Sequence, residues 1–300
     1  MSSKLPVIFI PGLFGSMGAE IIPHTGAWHF GPSRYTGVRF IKELEKQGYT
    51  LNENLFIMFY DWRQSARQIS KWMLSPLIHK VLKFTRAQKI NLICHGTGGL
   101  IGRHYAQSDF YDYTINHLIL VGTPNAGFVT PFSYLSGGIL PYSCIDEPDF
   151  ISLNLNLFLQ FIDLKYFPAL SEFLPSKNYG DYLIYTQGQR TSTIPYSSMQ
   201  FQNLFLDELN HTAHLLYDRS IEVTLMCGRG TQTTDLLEIF PACSLNKWAD
   251  GKVMGCLPTL EGDSCTPLKS TLALQGQQYI FNVDYGELLL QTANLLPSIL

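Results

Sequence analysis

The sequence predicts an α/β protein with a mostly parallel central sheet and helices on both of its sides. Short apolar, β-branched runs recur without strict alternation, which is typical of strands that are buried on both faces. Each run is followed by a turn and then by helix-compatible sequence, the rhythm of parallel βαβ units. The chain has 300 residues, of which 46% are hydrophobic and 15% are charged, so it can bury a large core.

Six runs are predicted to be the strands, and four stretches are predicted to be helical. The predicted strands are LPVIFI (5–10), NLFIMFY (54–60), INLIC (90–94), INHLILVG (115–122), IEVTLMCG (221–228) and QQYIFNVD (277–284). The predicted helices cover 37–48, 64–88, 98–108 and 286–296.

The strand rhythm stops at about residue 129 and resumes at Ile221. Residues 129–217 are rich in Phe, Leu, Tyr, Pro and Ser and are predicted to be a cap inserted over the open end of the sheet. Residues 1–128 and 218–300 are then the two parts of one core. A separate domain formed by the insertion is the alternative.

Composition argues against several classes of partner. The net charge of −3 and the lack of a long Lys/Arg run give no basis for nucleic-acid binding. No transmembrane segment is expected, since 128–145 is broken by Pro and Gly and 150–162 is shorter than the ~20 residues that span a bilayer. The start of the chain lacks the features of a secretory signal, so a cytoplasmic location is expected.

The six cysteines show no metal-binding spacing, so no metal and no other cofactor is expected. Without an export signal they are predicted to be free thiols, although a disulfide among Cys243, Cys256 and Cys265 is the alternative. The sequence does not indicate an oligomeric state.

One stretch carries most of the functional information. INLICHGTGGLIGR (90–103) predicts a strand, a sharp turn and a helix. In an enzyme built on such an elbow, the third residue of CHGTG is the nucleophile. Here that residue is Gly96, which has no side chain.

Further motifs accompany the elbow in a fixed order. They are VIFIPGLFGS (7–16), FYDWR (59–63), VGTPNAG (121–127), EGDSCTPLKS (261–270) and VDYGELL (283–289). Together the motifs resemble the lecithin:cholesterol acyltransferase-like branch of the α/β-hydrolase lipases. The resemblance runs from Pro6 to about Leu290 and is weakest over 129–217. It implies an α/β-hydrolase fold with an inserted cap or lid, and an activity on lipid and other acyl esters by hydrolysis or acyl transfer.

The resemblance assigns the catalytic positions one at a time. The Ser position falls on Gly96, and the His position falls on Tyr285, because VDYGELL resembles the VDHGELL of relatives. The acid falls on Asp263, because GDSCTPL resembles GDGTVPL; Asp250 in WADGKV is a competitor. No His follows His214, so a shifted alignment cannot restore the base.

The family mechanism also implies an oxyanion hole of backbone N–H groups. These fall on Leu13, or else Phe14, and on Thr97. Gly96 is expected to leave room beside the phenol of Tyr285, so that the donors, the phenol and Asp263 could bind a carbonyl compound.

The remaining candidates have simpler interpretations beside the functional one. Asp61 and Arg63 are expected to form an ion pair near the sheet edge or to line the pocket, and His24 and His29 could line its mouth. A nucleophilic pair of Cys94 and His95 is an alternative, although a buried thiol without a basic neighbour is inert. His104 and His117 are expected to be structural.

Three functions follow as hypotheses. A pseudo-hydrolase would bind an acyl, lipid-like or carbonyl-containing small molecule without turnover, and a repurposed enzyme would carry out cyclisation, elimination or condensation in the old pocket. The third is a lipase or acyltransferase represented by an inactivated variant. Gly96 together with Tyr285 favours a natural loss over an engineered one, since one change would have sufficed. The chain is therefore not expected to be a conventional serine hydrolase, and whether it catalyses another reaction stays open.

Overall fold

A parallel sheet of six strands forms the centre of the protein. The computed structural model describes residues 4–18, 28–137, 154, 157, 166–241 and 248–300. The twelve strands of these ranges are β1 Val7–Ile10, β2 Met17–Gly18, β3 Trp28–His29, β4 Leu55–Ile57, β5 Ile90–His95, β6 Ile115–Val121, β7 Leu183–Gln187, β8 Arg190–Ile194, β9 Glu222–Gly228, β10 Thr233–Phe240, β11 Lys252–Thr259 and β12 Gln277–Phe281. The central sheet has the order β12-β9-β6-β5-β1-β4, and every neighbouring pair is parallel. Five of its strands lie within predicted runs, and β5 extends the sixth run, 90–94, by one residue to His95, which confirms the predicted parallel sheet.

Helices cover both faces of this sheet. The helices of the described ranges are α1 Arg34–Lys46, α2 Ala66–Ile69, a π-helix Ser70–Leu74, α3 Ser75–Thr85, α4 Gly98–Gln107, α5 Thr130–Leu135, α6 Ala169–Glu172, α7 Leu204–His211, α8 His214–Asp218, α9 Leu268–Thr271 and α10 Tyr285–Ile299, with short 3₁₀ turns at Lys177–Tyr179 and Tyr196–Ser198.

The side chains of strand β1 point alternately to the helices on the two sides of the sheet. Ile8 and Ile10 belong to the core cluster that also contains buried residues of α3 and α4. Val7 and Phe9 belong to the opposite cluster, with buried residues of α1 and α10. Successive strand side chains point to opposite faces, so a run that is apolar at every position is buried between two helical layers.

A second sheet has four strands in the order β11-β10-β7-β8. The predicted insertion, 129–217, supplies β7 and β8, whereas β10 and β11 come from the segment 218–300 that was assigned to the core. Strand β10 is parallel to β7 and antiparallel to β11. Leu183, Leu237 and Ile239 share a third apolar cluster, and this burial joins the two segments.

Within the part of the chain that the structure describes, every helix is too short or too polar to cross a bilayer. Of the two apolar stretches considered above, 128–145 is described only to residue 137, and 150–162 is described only at residues 154 and 157.

Candidate active site

The elbow between β5 and α4 is a tight turn. Strand β5 ends at His95, Gly96 has a φ of 50°, and α4 begins at Gly98. The Gly96 N–H donates to the carbonyl of Val121 over 2.8 Å. A Cβ on Gly98 would lie 2.7 Å from the Ile10 carbonyl oxygen, so the helix starts directly against β1. The backbone thus has the strand–turn–helix form that a nucleophile elbow requires, with positive φ at the nucleophile position.

Tyr285 fills the space above this turn. It is the first residue of α10 and is 6% exposed. A Cβ on Gly96 would overlap the Tyr285 hydroxyl and would lie 3.0 Å from its Cζ. A Cβ on Gly12 would lie 2.6 Å from the same hydroxyl. The room expected beside Gly96 is therefore absent, because the phenol occupies it.

His95 stacks on Tyr285. The ring centroids are 4.1 Å apart and the ring planes differ by 24°. The Nε2–H of His95 donates to the backbone carbonyl of Tyr285 over 3.2 Å. Burial lowers the pKa of His95 to about 4, and burial also raises the pKa of the Tyr285 phenol well above its ordinary value. Both rings are therefore neutral near pH 7, and a stacked imidazole does not direct a ring nitrogen at the phenol oxygen.

Asp263 is fully buried next to Tyr285. Its Oδ1 accepts from the N–H groups of Cys265 (2.9 Å) and Thr266 (2.7 Å), and its carbonyl accepts from the Tyr285 N–H (2.7 Å). Its Oδ2 has no hydrogen-bond partner among the described residues. Burial raises the pKa of this carboxyl to about 7.

The competing acid, Asp250, lies in different surroundings. Its two carboxylate oxygens accept from the backbone N–H groups of Gln200 and Phe201, each over 2.7 Å. Asp250 thus holds a turn of the insertion, whereas Asp263 touches the backbone of Tyr285. This geometry favours Asp263 as the residue at the acid position.

The residues assigned to the oxyanion hole lie in a closed, aromatic environment. Leu13 and Phe14 are buried, and Phe14 has a φ of 61°. The Thr97 side chain is hydrogen-bonded to the Tyr60 hydroxyl, which itself donates to the Pro11 carbonyl over 2.7 Å.

Little room remains in front of these residues. Phe14 packs on Trp62 with ring centroids 4.7 Å apart, and Trp62 packs on Phe167 at 5.3 Å. The cavity lined by Tyr60, Thr97 and their neighbours has about 10 Å³, which is the lower limit for one water molecule. This cavity is too small for a substrate carbonyl.

The other sequence candidates lie around this centre without joining it. Arg63 donates to both carboxylate oxygens of Asp61, over 2.8 and 2.9 Å, and this bond raises the pKa of Arg63. Cys94 is buried, and burial raises the pKa of its thiol, so it is not an activated nucleophile. His29 is exposed, with its Nδ1 2.8 Å from the Phe30 carbonyl. His24 lies outside the described residues.

Cysteines and acidic side chains in the described ranges do not form a metal site. No group of three or more His, Cys, Asp or Glu residues within these ranges could hold a metal ion. Cys94 and Cys227 are buried thiols, and Cys256 and Cys265 likewise form no disulfide with a described residue. Cys144 and Cys243 lie outside the described residues.

Sequence reasoning missed a groove beside Tyr285. It has a volume of about 280 Å³, and Ser33, Thr36, His95 and Ser264 line part of it. One signal was available for Ser264, since it stands where the related GDGTVPL motif has Gly. The structure explains why the related motif has glycine at this position. Ser264 has a φ of 82°, a backbone conformation that glycine adopts without steric cost.

Comparison with known proteins identifies the family of this chain. A sequence model described as lecithin:cholesterol acyltransferase matches residues 30–220, more than half of the chain. The chain belongs to the lecithin:cholesterol acyltransferase family. No curated protein matches it by sequence.

Solved structures agree with this lecithin:cholesterol acyltransferase assignment at the level of the fold. The mature lipase BlEst2 of Bacillus licheniformis is 13% identical with a TM-score of 0.53, and the match covers 100% of this chain and 93% of the lipase. A chain of the Tle4–Tli4 complex is 12% identical with a TM-score of 0.52, with 100% and 98% covered. At these identities the likeness shows a shared fold, the α/β-hydrolase fold.

Proposed function

We propose that this family member is a pseudo-hydrolase that binds an acyl, lipid-like or carbonyl-containing small molecule without hydrolysing it. The observation that carries the proposal is the overlap between a side chain at position 96 and the Tyr285 hydroxyl. A nucleophile at 96 and a tyrosine at 285 exclude one another in this arrangement, so the two losses form one coordinated change.

The chemistry of the family supports the same conclusion. Serine hydrolysis needs a hydroxyl nucleophile and a base that removes its proton. Gly96 supplies no hydroxyl, and a buried phenol whose pKa is raised well above 10.0 is a poor base at neutral pH. The same high pKa makes the phenol oxygen a poor nucleophile at neutral pH.

A repurposed enzyme is supported less well. Asp263, whose pKa is raised to about 7, could exchange a proton near neutral pH. However, it is fully buried, and the phenol of Tyr285 covers the elbow. A substrate carbonyl would have to displace Tyr285 before it could reach this carboxyl.

The inactivated-variant hypothesis is disfavoured by the same overlap. A Ser returned to position 96 would collide with Tyr285, so this chain is two changes away from a working triad. Phe14, Trp62 and Phe167 are buried in front of the elbow and pack on one another, so an acyl ligand would have to separate these apolar rings to reach it.

Hydrolysis of a p-nitrophenyl acyl ester tests the proposal. Hydrolysis should not exceed the buffer rate with wild type or with either single variant. Wild type lacks the nucleophile and the base, Tyr285→His lacks the nucleophile, and Gly96→Ser lacks the base and the room for its side chain. The Gly96→Ser/Tyr285→His double variant restores all three and should be at least about 100-fold faster than wild type. The ester should raise the Tm of wild type without being consumed. Hydrolysis by wild type that disappears in Tyr285→Phe would overturn the proposal, because the phenol would then be the nucleophile.

A further inference from the structure

The groove beside Tyr285 carries chemistry that the pseudo-hydrolase proposal does not use. Ser33 and Thr36 at the start of α1 line it, together with His95, Ser264 and Asp284. Its volume of about 280 Å³ is far larger than the 10 Å³ left near Thr97.

His95 contributes a hydrogen-bond acceptor to this groove. Its Nε2–H is committed to the Tyr285 carbonyl, so in the neutral ring the lone pair lies on Nδ1. Within the described ranges Nδ1 has no hydrogen-bond partner, and it is not one of the fully enclosed unpaired atoms of these ranges. It is therefore accessible from the groove, where a ligand hydroxyl can donate to it.

Three hydroxyls accompany this acceptor. Ser33 precedes α1 but does not cap it with its side chain, and neither Ser33 nor Thr36 hydrogen-bonds through its hydroxyl to another described residue. Ser264 has a φ of 82°, a costly conformation for a residue other than glycine, and its Oγ is 3.8 Å from the Cys265 sulfur. These hydroxyls can each donate to a ligand and accept from it.

The charge of the groove selects against anions. The N-termini of α1 and α10 would attract an anion, but Asp284 stands at the start of α10, where its Oδ1 accepts from the Glu287 N–H. This carboxylate and the neutral His95 both accept hydrogen bonds and do not supply positive charge. A suitable ligand must therefore donate to two acceptors and exchange hydrogen bonds with several hydroxyls.

From this arrangement we infer that the groove binds a small neutral polyhydroxyl compound, a polyol or a single sugar ring. Each ligand hydroxyl can donate to His95 or Asp284 while it accepts from Ser33, Thr36 or Ser264. Polyol binding in the groove goes beyond the pseudo-hydrolase function. Either proposal can be wrong while the other is right, because ester hydrolysis at the elbow does not report on the groove.

The test is a titration of the whole ¹⁵N-labelled protein, followed by amide NMR shifts. The probes are glycerol, myo-inositol and D-glucose, with acetate and inorganic phosphate as anions. At least one polyol should shift the Ser33, Thr36 and Ser264 amides saturably, with a Kd on the order of 1 mM. Acetate and phosphate should leave these amides unchanged.

Variants locate the binding. Thr36→Val and Ser33→Ala each remove one hydroxyl and should weaken polyol binding about fivefold, the effect of one lost hydrogen bond. Thr193→Val, on the exposed strand β8, removes an equivalent hydroxyl elsewhere and should not change the Kd.

Three results would overturn the inference: no saturable shift with any of the three polyols, unchanged polyol binding in both groove variants, or tighter binding of acetate or phosphate. If Thr36→Val does not fold, Ser33→Ala decides alone, because the Ser33 side chain makes no helix cap.

Discussion

At the scale of single residues, the proposed replacement of a histidine by Tyr285 accounts for the state of Asp263. In the family mechanism the acid holds the imidazole in place by a hydrogen bond. In this chain the Tyr285 phenol extends to Gly96 and Gly12, and Oδ2 of Asp263 is left without a partner among the described residues. The carboxyl is therefore buried without the imidazole that the family mechanism pairs with it, and burial raises its pKa to about 7.

This raised pKa makes stability depend on pH. The unfolded carboxyl ionises near 3.8 and the folded one near 7, so between these values the folded state binds one more proton than the unfolded state. The free energy of unfolding should therefore decrease as the pH rises from 4 to 7 through this group alone, by up to about 1.4 kcal/mol per pH unit near the middle of this range. Asp263→Asn should remove that slope, as measured by urea unfolding at pH 4, 5, 6 and 7.

The comparison with Asp263→Asn is needed because His95 changes the free energy of unfolding with pH in the opposite direction. Burial lowers the pKa of His95 to about 4, so its contribution to stability is lost as the pH falls from 6.5 towards 4. His95 is present in both proteins and cancels in the difference. A difference that is constant from pH 4 to pH 7 would contradict the account of Asp263.

At the scale of elements, helix α4 connects the elbow to the insertion. Arg103 in this helix is fully buried and donates to the carbonyl and side-chain oxygens of Asn125, to the Leu209 carbonyl and to the Asn210 side chain. Burial lowers its pKa to about 10, so the guanidinium is still charged at neutral pH. One side chain thus joins α4, the loop after β6 and helix α7.

Replacement of this arginine should be strongly destabilising. Arg103→Met keeps much of the volume but leaves several buried oxygens without donors, so we expect a loss of about 3 kcal/mol in the free energy of unfolding. Arg67→Met is the matched control, because Arg67 pairs with Glu208 at the surface, where such pairs contribute about 1 kcal/mol or less. Equal losses in the two variants, measured by urea unfolding, would contradict the role given to Arg103.

The elements also show where sequence patterns are insufficient. The stretch 64–88 is predicted as one helix, and it is helical without interruption from Ala66 to Thr85, but Ser70–Leu74 form a π-helical turn between α2 and α3. Pro76 near the start of α3 has no N–H, so it cannot continue the hydrogen-bond ladder of the preceding turn. The apolar period continues across this π-helical turn, so the sequence pattern alone does not reveal it.

At the scale of the whole molecule, the sequence predicts the central sheet well and the second sheet poorly. Buried parallel strands such as β5 are continuous apolar runs, which are easy to recognise. Strand β8, RTSTI, is almost fully exposed and lies at a sheet edge, so it lacks the apolar run or apolar alternation by which the other strands are recognised. Pairing of β7 with β10 joins distant segments and depends on packing that local patterns do not contain.

The candidate site, like the fold, was predicted from the sequence only in part. Motif order assigned Gly96, Asp263 and Tyr285 to neighbouring positions, and the structure brings these residues together. The filling of the space beside Gly96 could not be predicted from the sequence, because it depends on the direction in which the Tyr285 side chain points. His95 and Tyr285 are 190 residues apart in the chain, and their stacking results from how the whole fold places α10 against β5.

The central claim is that positions 96 and 285 changed together because their side chains compete for the same space. A double-mutant cycle of the free energy of unfolding, with Gly96→Ser, Tyr285→His and both changes, measures this competition directly. Gly96→Ser should cost about 3 kcal/mol beside Tyr285, from overpacking and positive φ. In the Tyr285→His background only the backbone cost should remain, so the coupling energy should exceed about 1 kcal/mol. An equal cost of Gly96→Ser in both backgrounds would contradict the claim.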